Sequence, residues 1–167
     1  LILLSKETPL REEQTLPSHY EVLLRMPAKD SSELVYPAIF LPTAERFNLL
    51  QDIDRWVVEA AIKKLSDLAS EGLDTCFAIN LSGHSLGDGS FLPFLIGILK
   101  KYDVSRESII FEITETCAIS NMDAAQKLIN ELSATGVRFS LDDFGCGFSS
   151  FSHLKQLEAE YVKIDGM

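Results

Sequence analysis

Basic residues are scarce in this sequence: 15 Lys and Arg stand against 25 Asp and Glu, a formal net charge of -10. Such a surface repels polyanions, so neither a DNA or RNA polymer nor an anionic membrane is an expected partner. A phosphate ligand held at a local metal or arginine site remains compatible with it. Cysteine is scarce too. Cys76, Cys117 and Cys146 lie far apart with no C-x-x-C pair, which argues against a zinc or redox motif. Lone thiols fit a reducing cytoplasm, the expected location. No apolar run approaches the ~18 residues that span a bilayer; the longest, Phe91 to Leu99, is too short and holds Pro93. Leu1 to Leu4 has no basic region or cleavage site of a signal peptide. It reads as a strand entered partway, and Tyr161 to Met167 stops just after another, so both ends read as cuts inside a larger protein. Low-complexity stretches and long linkers are also missing, which leaves one domain over residues 1–167.

What is present is alternation. Strands are expected at His19–Met26, Thr75–Ser82, Ser108–Thr114, Val137–Phe144 and Tyr161–Asp165. Between them, helical spacing of apolar residues marks 52–68 (through Ile53, Trp56, Val57, Ala60, Ala61, Lys64, Leu65 and Leu68, with Trp56 expected in the core), 91–102, 121–135 (closed by Gly136) and 149–157. Lys6 to Ser18 reads as a polar connection between two strands. The period is roughly 25–30 residues, the size of a βαβ unit, which implies a parallel sheet with helices outside. An open doubly wound sheet and a closed barrel both satisfy that pattern.

The strands carry an unusual polarity. A parallel strand covered on both faces should be apolar nearly throughout. Here one parity reads Glu21 and Arg25, Asn80 and Ser82, Glu112 and Thr114, Ser140 and Asp142, Lys163 and Asp165. The other reads Val22 and Leu24, Ile79 and Leu81, Phe111 and Ile113, Leu141, Val162 and Ile164. Successive strand residues face opposite sides, so a polar face is shared across the strands and is turned to a common interior. A single buried carboxylate is usually half of a structural ion pair. Several converging on one interior repel each other and call for positive charge among them. Glu21, Asn80, Glu112, Asp142 and Asp143 offer only oxygen, which suits Mg²⁺ or Mn²⁺ rather than zinc. Two such ions are a common device for phosphodiester cleavage, while acidic residues with one lysine also occur in enolase-type proton abstraction.

The ordered motifs resemble the EAL domain, the bacterial cyclic di-GMP phosphodiesterase. The matching stretches are YEVLLRM (20–26), PAIFLPTAE (37–45), DIDRWVVEAA (52–61), FAINLSGHSL (77–86), IIFEITET (109–116), FSLDDFGCGFSS (139–150) and YVKIDG (161–166). The resemblance implies a modified TIM-type (β/α) barrel with an antiparallel first strand and an active site at the C-terminal ends of the strands. It implies hydrolysis of cyclic di-GMP to linear pGpG with two Mg²⁺ or Mn²⁺ ions. Matched position by position, Glu21, Asn80, Glu112 and Asp142 resemble metal ligands and Asp143 a ligand of the second ion. Lys163 resembles the lysine that contacts the attacking water, so Lys163, Glu21 and Asp142 are the expected catalytic set. Arg25 resembles the arginine that holds a substrate phosphate, with Asp165 also on the substrate side. Glu115 resembles the glutamate that anchors the loop after DDFG, a loop that supports a homodimer. The family is also commonly fused to sensor or GGDEF-type domains outside the region matched here.

Some positions depart from the family. The namesake motif reads Glu21-Val22-Leu23, a harmless change if Val22 faces the helices. In the DDFG loop, Cys146 and Phe148 stand where a Thr and a Tyr are common, and each loses a hydroxyl. Near the start, Ser5-Lys6-Glu7-Thr8 replaces the usual Gln-Pro-Ile, which bears on a guanine contact if Lys6 replaces the glutamine. A TIM-type barrel usually takes ~250 residues. The expected fold is therefore an EAL-like domain truncated before closure, lacking its last strands and helices and exposing sheet edges. The rival reading is a catalytically inactive EAL-like receptor for cyclic di-GMP or a protein-interaction module. It is disfavoured by the presence of the motif glutamate, DDFG and the lysine.

Overall fold

The structure is a computed structural model that describes residues 2–7, 18–29, 32–145, 157 and 159–164. Its strands are β1 (Ile2–Glu7), β2 (Ser18–Pro27), β3 (Leu34–Val35), β4 (Thr75–Asn80), β5 (Ile109–Thr114), β6 (Arg138–Phe144) and β7 (Tyr161–Ile164). Its α-helices are α1 (Pro37–Arg46), α2 (Leu50–Ser70), α3 (Gly83–Leu86), α4 (Phe91–Lys101), α5 (Glu115–Ser120) and α6 (Met122–Ser133). The sheet runs β1-β2-β4-β5-β6-β7. β1 is antiparallel to β2, and every later pair along this path is parallel. This is the expected barrel order with its antiparallel first strand. β1 and β7 are the two edges among the described residues, so the sheet is open.

One parity of each central strand is a dry core. Ile79, Phe111, Ile113, Phe139 and Leu141 are buried and join Val58, Ile62 and Leu65 of α2, Leu95 of α4 and Ile129 of α6 in one cluster. Each large apolar side chain so buried contributes about 1.5–3 kcal/mol. That burial turns the opposite, polar parity inward and fixes where the functional side chains stand.

Three expectations need correction. Trp56, expected in the core of α2, is 40% exposed, because the buried stripe of that helix runs through Asp54, Val57, Val58, Ala61, Ile62 and Leu65, one residue round from the expected face. Val162 and Ile164, expected to face helices, are 40% and 78% exposed, since β7 is an edge strand. The segment from Lys6 is not all connection, because β1 continues through Glu7. α1 is an addition to the expected elements. Pro42 in its interior hides the helical pattern, because proline removes a backbone donor there. The expected helix over 149–157 is, except for Leu157, outside the described residues, as are Cys146, Phe148 and Asp165.

Candidate active site

The sheet register builds the site in two levels. In parallel strands, paired residues project to the same side. Asn80 pairs with Glu112 and Glu112 with Ser140, which makes the lower level. Thr114 pairs with Asp142 one step nearer the C-terminal ends. Glu21 pairs with Ala78, below Asn80, and its longer side chain reaches up so that Asn80 Nδ2 donates to Glu21 Oε1 at 3.4 Å. From β7, Lys163 Nζ lies 2.5 Å from Glu112 Oε1 and 4.0 Å from Asp142 Oδ2. Glu21, Asn80, Glu112, Asp142 and Lys163 are thus brought together.

Glu112 is the buried centre, with its side chain 1% exposed. Its Oε2 is buried without a hydrogen-bond partner among the described residues, and so is the neighbouring Ser140 Oγ. Burial pushes the Glu112 carboxyl above its ordinary range; Lys163 opposes that shift, and the negative charges of Glu21 and Asp142 add to it. For Lys163, burial alone would lower the ammonium. The hydrogen bond and charge of Glu112, with Glu21 and Asp142 beyond it, outweigh burial and hold it above its ordinary value. The lysine is therefore charged, and three carboxylates surround one ammonium.

Where β6 meets β7, the register slips between Leu141 and Phe144, a bulge-like irregularity. Asp143 sits inside it with φ 56°, a left-handed backbone unusual for a non-glycine residue. Its N–H donates to Asp142 Oδ1 at 3.0 Å, and its side chain is exposed, apart from the Glu112 cluster. Just beyond, Gly145 has φ +98°, and its N–H donates to buried Glu115 Oε2 at 3.2 Å. Glu115 therefore ties the start of α5 to the start of the loop after Phe144. The hydroxyls of Ser82 and Thr114 are engaged elsewhere. Each caps a helix by accepting an N–H, Ser82 from Ser85 and Thr114 from Cys117. Behind Ser82, buried Asp54 accepts from the Ser82 N–H at 2.9 Å and the Ser85 hydroxyl at 2.6 Å.

Arg25 stands apart from the carboxylates. Its Nη1 donates to the Leu24 carbonyl at 2.7 Å, and its guanidinium lies 4.4 Å from the centre of the Tyr36 ring.

The chemistry of this cluster fits a hard divalent cation in kind. Its donors are all oxygen, its charge is in excess negative, and Glu112 Oε2 is buried with nothing to bond. No three His, Cys, Asp or Glu side chains converge at ion-holding spacing among the described residues. The nearest cation to Glu112 is the Lys163 ammonium.

Two residues escaped the sequence reading, one below the site and one beside Arg25. Arg138 lies on the interior parity two residues before Ser140, and extending the strand pattern backward would have found it. Tyr36 precedes the proline that opens α1, and only that proline signalled a fixed backbone there.

A family profile described as "EAL domain" matches residues 13–167. The chain is 40% identical over 146 residues to the Cyclic di-GMP phosphodiesterase PdeB of Shewanella oneidensis, covering 87% of this chain and 17% of that protein. It is 36% identical over 148 residues to the Cyclic di-GMP phosphodiesterase PdeF of Escherichia coli, covering 89% of this chain and 20% of that protein. The chain thus spans a fifth or less of the length of these two curated relatives. Among solved structures, the FimX EAL domain from Pseudomonas aeruginosa bound to c-di-GMP superimposes with a TM-score of 0.88 at 34% identity, over 98% of this chain and 65% of that one. On the strength of the profile match and these relatives, the chain belongs to the EAL-domain family.

Proposed function

We propose that the protein carrying this chain hydrolyses cyclic di-GMP to linear pGpG in bacterial second-messenger signalling, with Mg²⁺ or Mn²⁺ as cofactor. The observation that carries the reading is the interior cluster of Glu21, Asn80, Glu112 and Asp142 around one lysine, with a buried carboxylate oxygen left unbonded. Two relatives above 35% identity bear the name cyclic di-GMP phosphodiesterase. Glu21, Asn80, Glu112 and Asp142 would hold one ion, and Asp143, turned out by the bulge, a second. When bound, such ions supply Lewis-acid stabilisation of the charge that develops on the phosphodiester oxygens.

The chain's own residues do the rest. Lys163, kept charged by its carboxylate neighbours, donates a hydrogen bond that orients the attacking water. Arg25 grips a phosphate oxygen pair with its planar fork. Glu115 holds the start of the loop after Phe144 through Gly145, which keeps Asp142 and Asp143 in place. By this reading the protein forms a homodimer through that loop. Sensor or GGDEF-type domains would account for length beyond this chain.

The test is direct: incubate the full-length protein with cyclic di-GMP and follow pGpG by chromatography. Turnover with Mg²⁺ or Mn²⁺ that stops in chelator supports the reading. Tight binding with no turnover under any divalent ion would favour the receptor reading, which the ligand-bound FimX structure motivates.

A further inference from the structure

We infer that Tyr36 is a positioning residue for Arg25, setting the plane in which the arginine meets a ligand phosphate; this rests on the phosphate-gripping role proposed for Arg25. The placement follows from the backbone. β2 and β3 pair antiparallel with Met26 opposite Val35, so one step further Arg25 stands across from Tyr36. Tyr36 precedes Pro37, the first residue of α1, and a residue before proline is confined to extended backbone; Tyr36 has φ -78° and ψ 152°. The point from which its side chain springs is thus fixed by the chain although the residue is 58% exposed.

Across that pairing the guanidinium carbon lies 4.4 Å from the ring centre, within cation–π range. Nη1 donates to the Leu24 carbonyl at 2.7 Å, and this is the guanidinium's one hydrogen bond among the described residues. An arginine side chain carries large rotamer freedom, which a ligand would otherwise have to freeze on binding. This ring contact and one hydrogen bond together restrict how the guanidinium can turn and leave the other N–H groups of the fork to a phosphate. A large aromatic with more than half its surface in water is not held there by core burial.

The experiment measures dissociation constants for cyclic di-GMP by calorimetry on the full-length protein, in chelator so that no hydrolysis occurs. The variants are Tyr36→Leu, Tyr36→Phe, Arg25→Ala and the double variant Arg25→Ala/Tyr36→Leu. Tyr36→Leu should weaken binding about 3- to 5-fold, the scale of an exposed cation–π contact. Tyr36→Phe, which keeps the ring face, should bind as the parent does. In the Arg25→Ala background, Tyr36→Leu should have no further effect. An unchanged constant for Tyr36→Leu overturns the inference. So does an equal loss in Tyr36→Phe, or an equal further loss in the Arg25→Ala background, which would mean that the tyrosine touches the ligand itself. Because binding is read without turnover, a protein that binds but never hydrolyses removes the enzymatic reading and leaves this one standing. A protein that does not bind cyclic di-GMP removes both.

Discussion

The interior face of the half-barrel has two ends, and they handle charge in opposite ways. At the N-terminal end, one cation meets neutral acceptors. Arg138 donates to the Tyr161 hydroxyl at 2.6 Å and to the Glu107 carbonyl, touches the Cys76 sulfur, and lies over the Tyr161 ring at 5.6 Å. At the C-terminal end, Glu21, Glu112 and Asp142 face the single ammonium of Lys163. Both ends leave buried polar atoms unbonded among the described residues, Arg138 Nε below and Glu112 Oε2 above, with Ser140 Oγ beside the latter. Below, the orphan is a donor on a cation already spread over three neighbours, Tyr161, Glu107 and Cys76. Above, it is an acceptor in a cluster with excess negative charge. The lower arrangement ties β4, β6 and β7 together; the upper one remains short of positive charge. That division matches the general rule for such barrels, with chemistry at the strands' C-terminal ends and stability at the other.

The largest expected effect sits at the upper end. Lys163→Met removes the ammonium from a buried carboxylate, which then loses its ion-pair partner. In chelator the variant should melt earlier than the parent, and Mg²⁺ or Mn²⁺ should restore the midpoint, because the ion supplies the missing charge. Turnover of cyclic di-GMP in the restored protein should still fall by roughly 10²-fold in kcat, the loss expected for a positioned proton-transfer group. Calorimetric melting and steady-state kinetics on the full-length protein check both halves. If kcat survives while the midpoint falls with or without metal, the lysine is scaffold and the two ends do not differ in kind.

The lower end should respond in the reverse sense. Arg138→Met removes hydrogen bonds to Tyr161 and Glu107 and should cost about 1–3 kcal/mol of folding stability, seen as a lower urea midpoint. In the protein that remains folded, kcat for cyclic di-GMP should match the parent. A collapse of kcat in folded Arg138→Met would erase the distinction between the ends. Between these two in size lies Arg25→Ala. It should raise KM several-fold more than it lowers kcat if, as proposed, the arginine holds substrate equally in ground and transition states. The reverse split would assign it to the chemistry.

Much of this was legible from parity alone. Alternation along β4, β5 and β6 separates Ile79, Phe111 and Leu141 from Asn80, Glu112 and Asp142, and the registers place the second set on one face. Patterns of period two survive in sequence because one residue's slip would turn every side chain to the wrong side. The same rule failed on β7. Its alternation was read correctly, but burial depends on what covers a face, and Val162 and Ile164 stand at an edge. Trp56 failed for a related reason: a helix with apolar residues on more than one side does not say which stripe meets the sheet. The bulge at Asp143 was also hidden, since a positive φ in an aspartate leaves no compositional mark. Nor could spacing show that Lys163 would pair most closely with Glu112, 51 positions away in sequence by its numbering. That pairing comes from the order of strands in space.

The smallest expected effect is a pH dependence confined to the lower end. His19, part-buried at the start of β2, has its pKa lowered, first by burial and then by the nearby Arg138 cation. In the unfolded chain the imidazole titrates near ~6.5. Folding therefore disfavours its protonation. As pH falls below the unfolded value, the unfolded state takes up the proton first, and stability drops until the folded pKa is passed. Glu112 acts with the opposite sign, because its carboxyl is shifted upward, first by burial, so a proton it takes up in the native state as pH falls stabilises the fold. The two are separable by difference. Urea midpoints measured from about pH 7 to pH 5 should decline less in His19→Gln than in the parent, because glutamine does not titrate. Arg138→Met, which removes one of the two causes of the shift, should give an intermediate slope. Equal slopes in parent and His19→Gln would mean that the imidazole is as free to protonate in the fold as outside it, and that the Arg138 cation does not reach it.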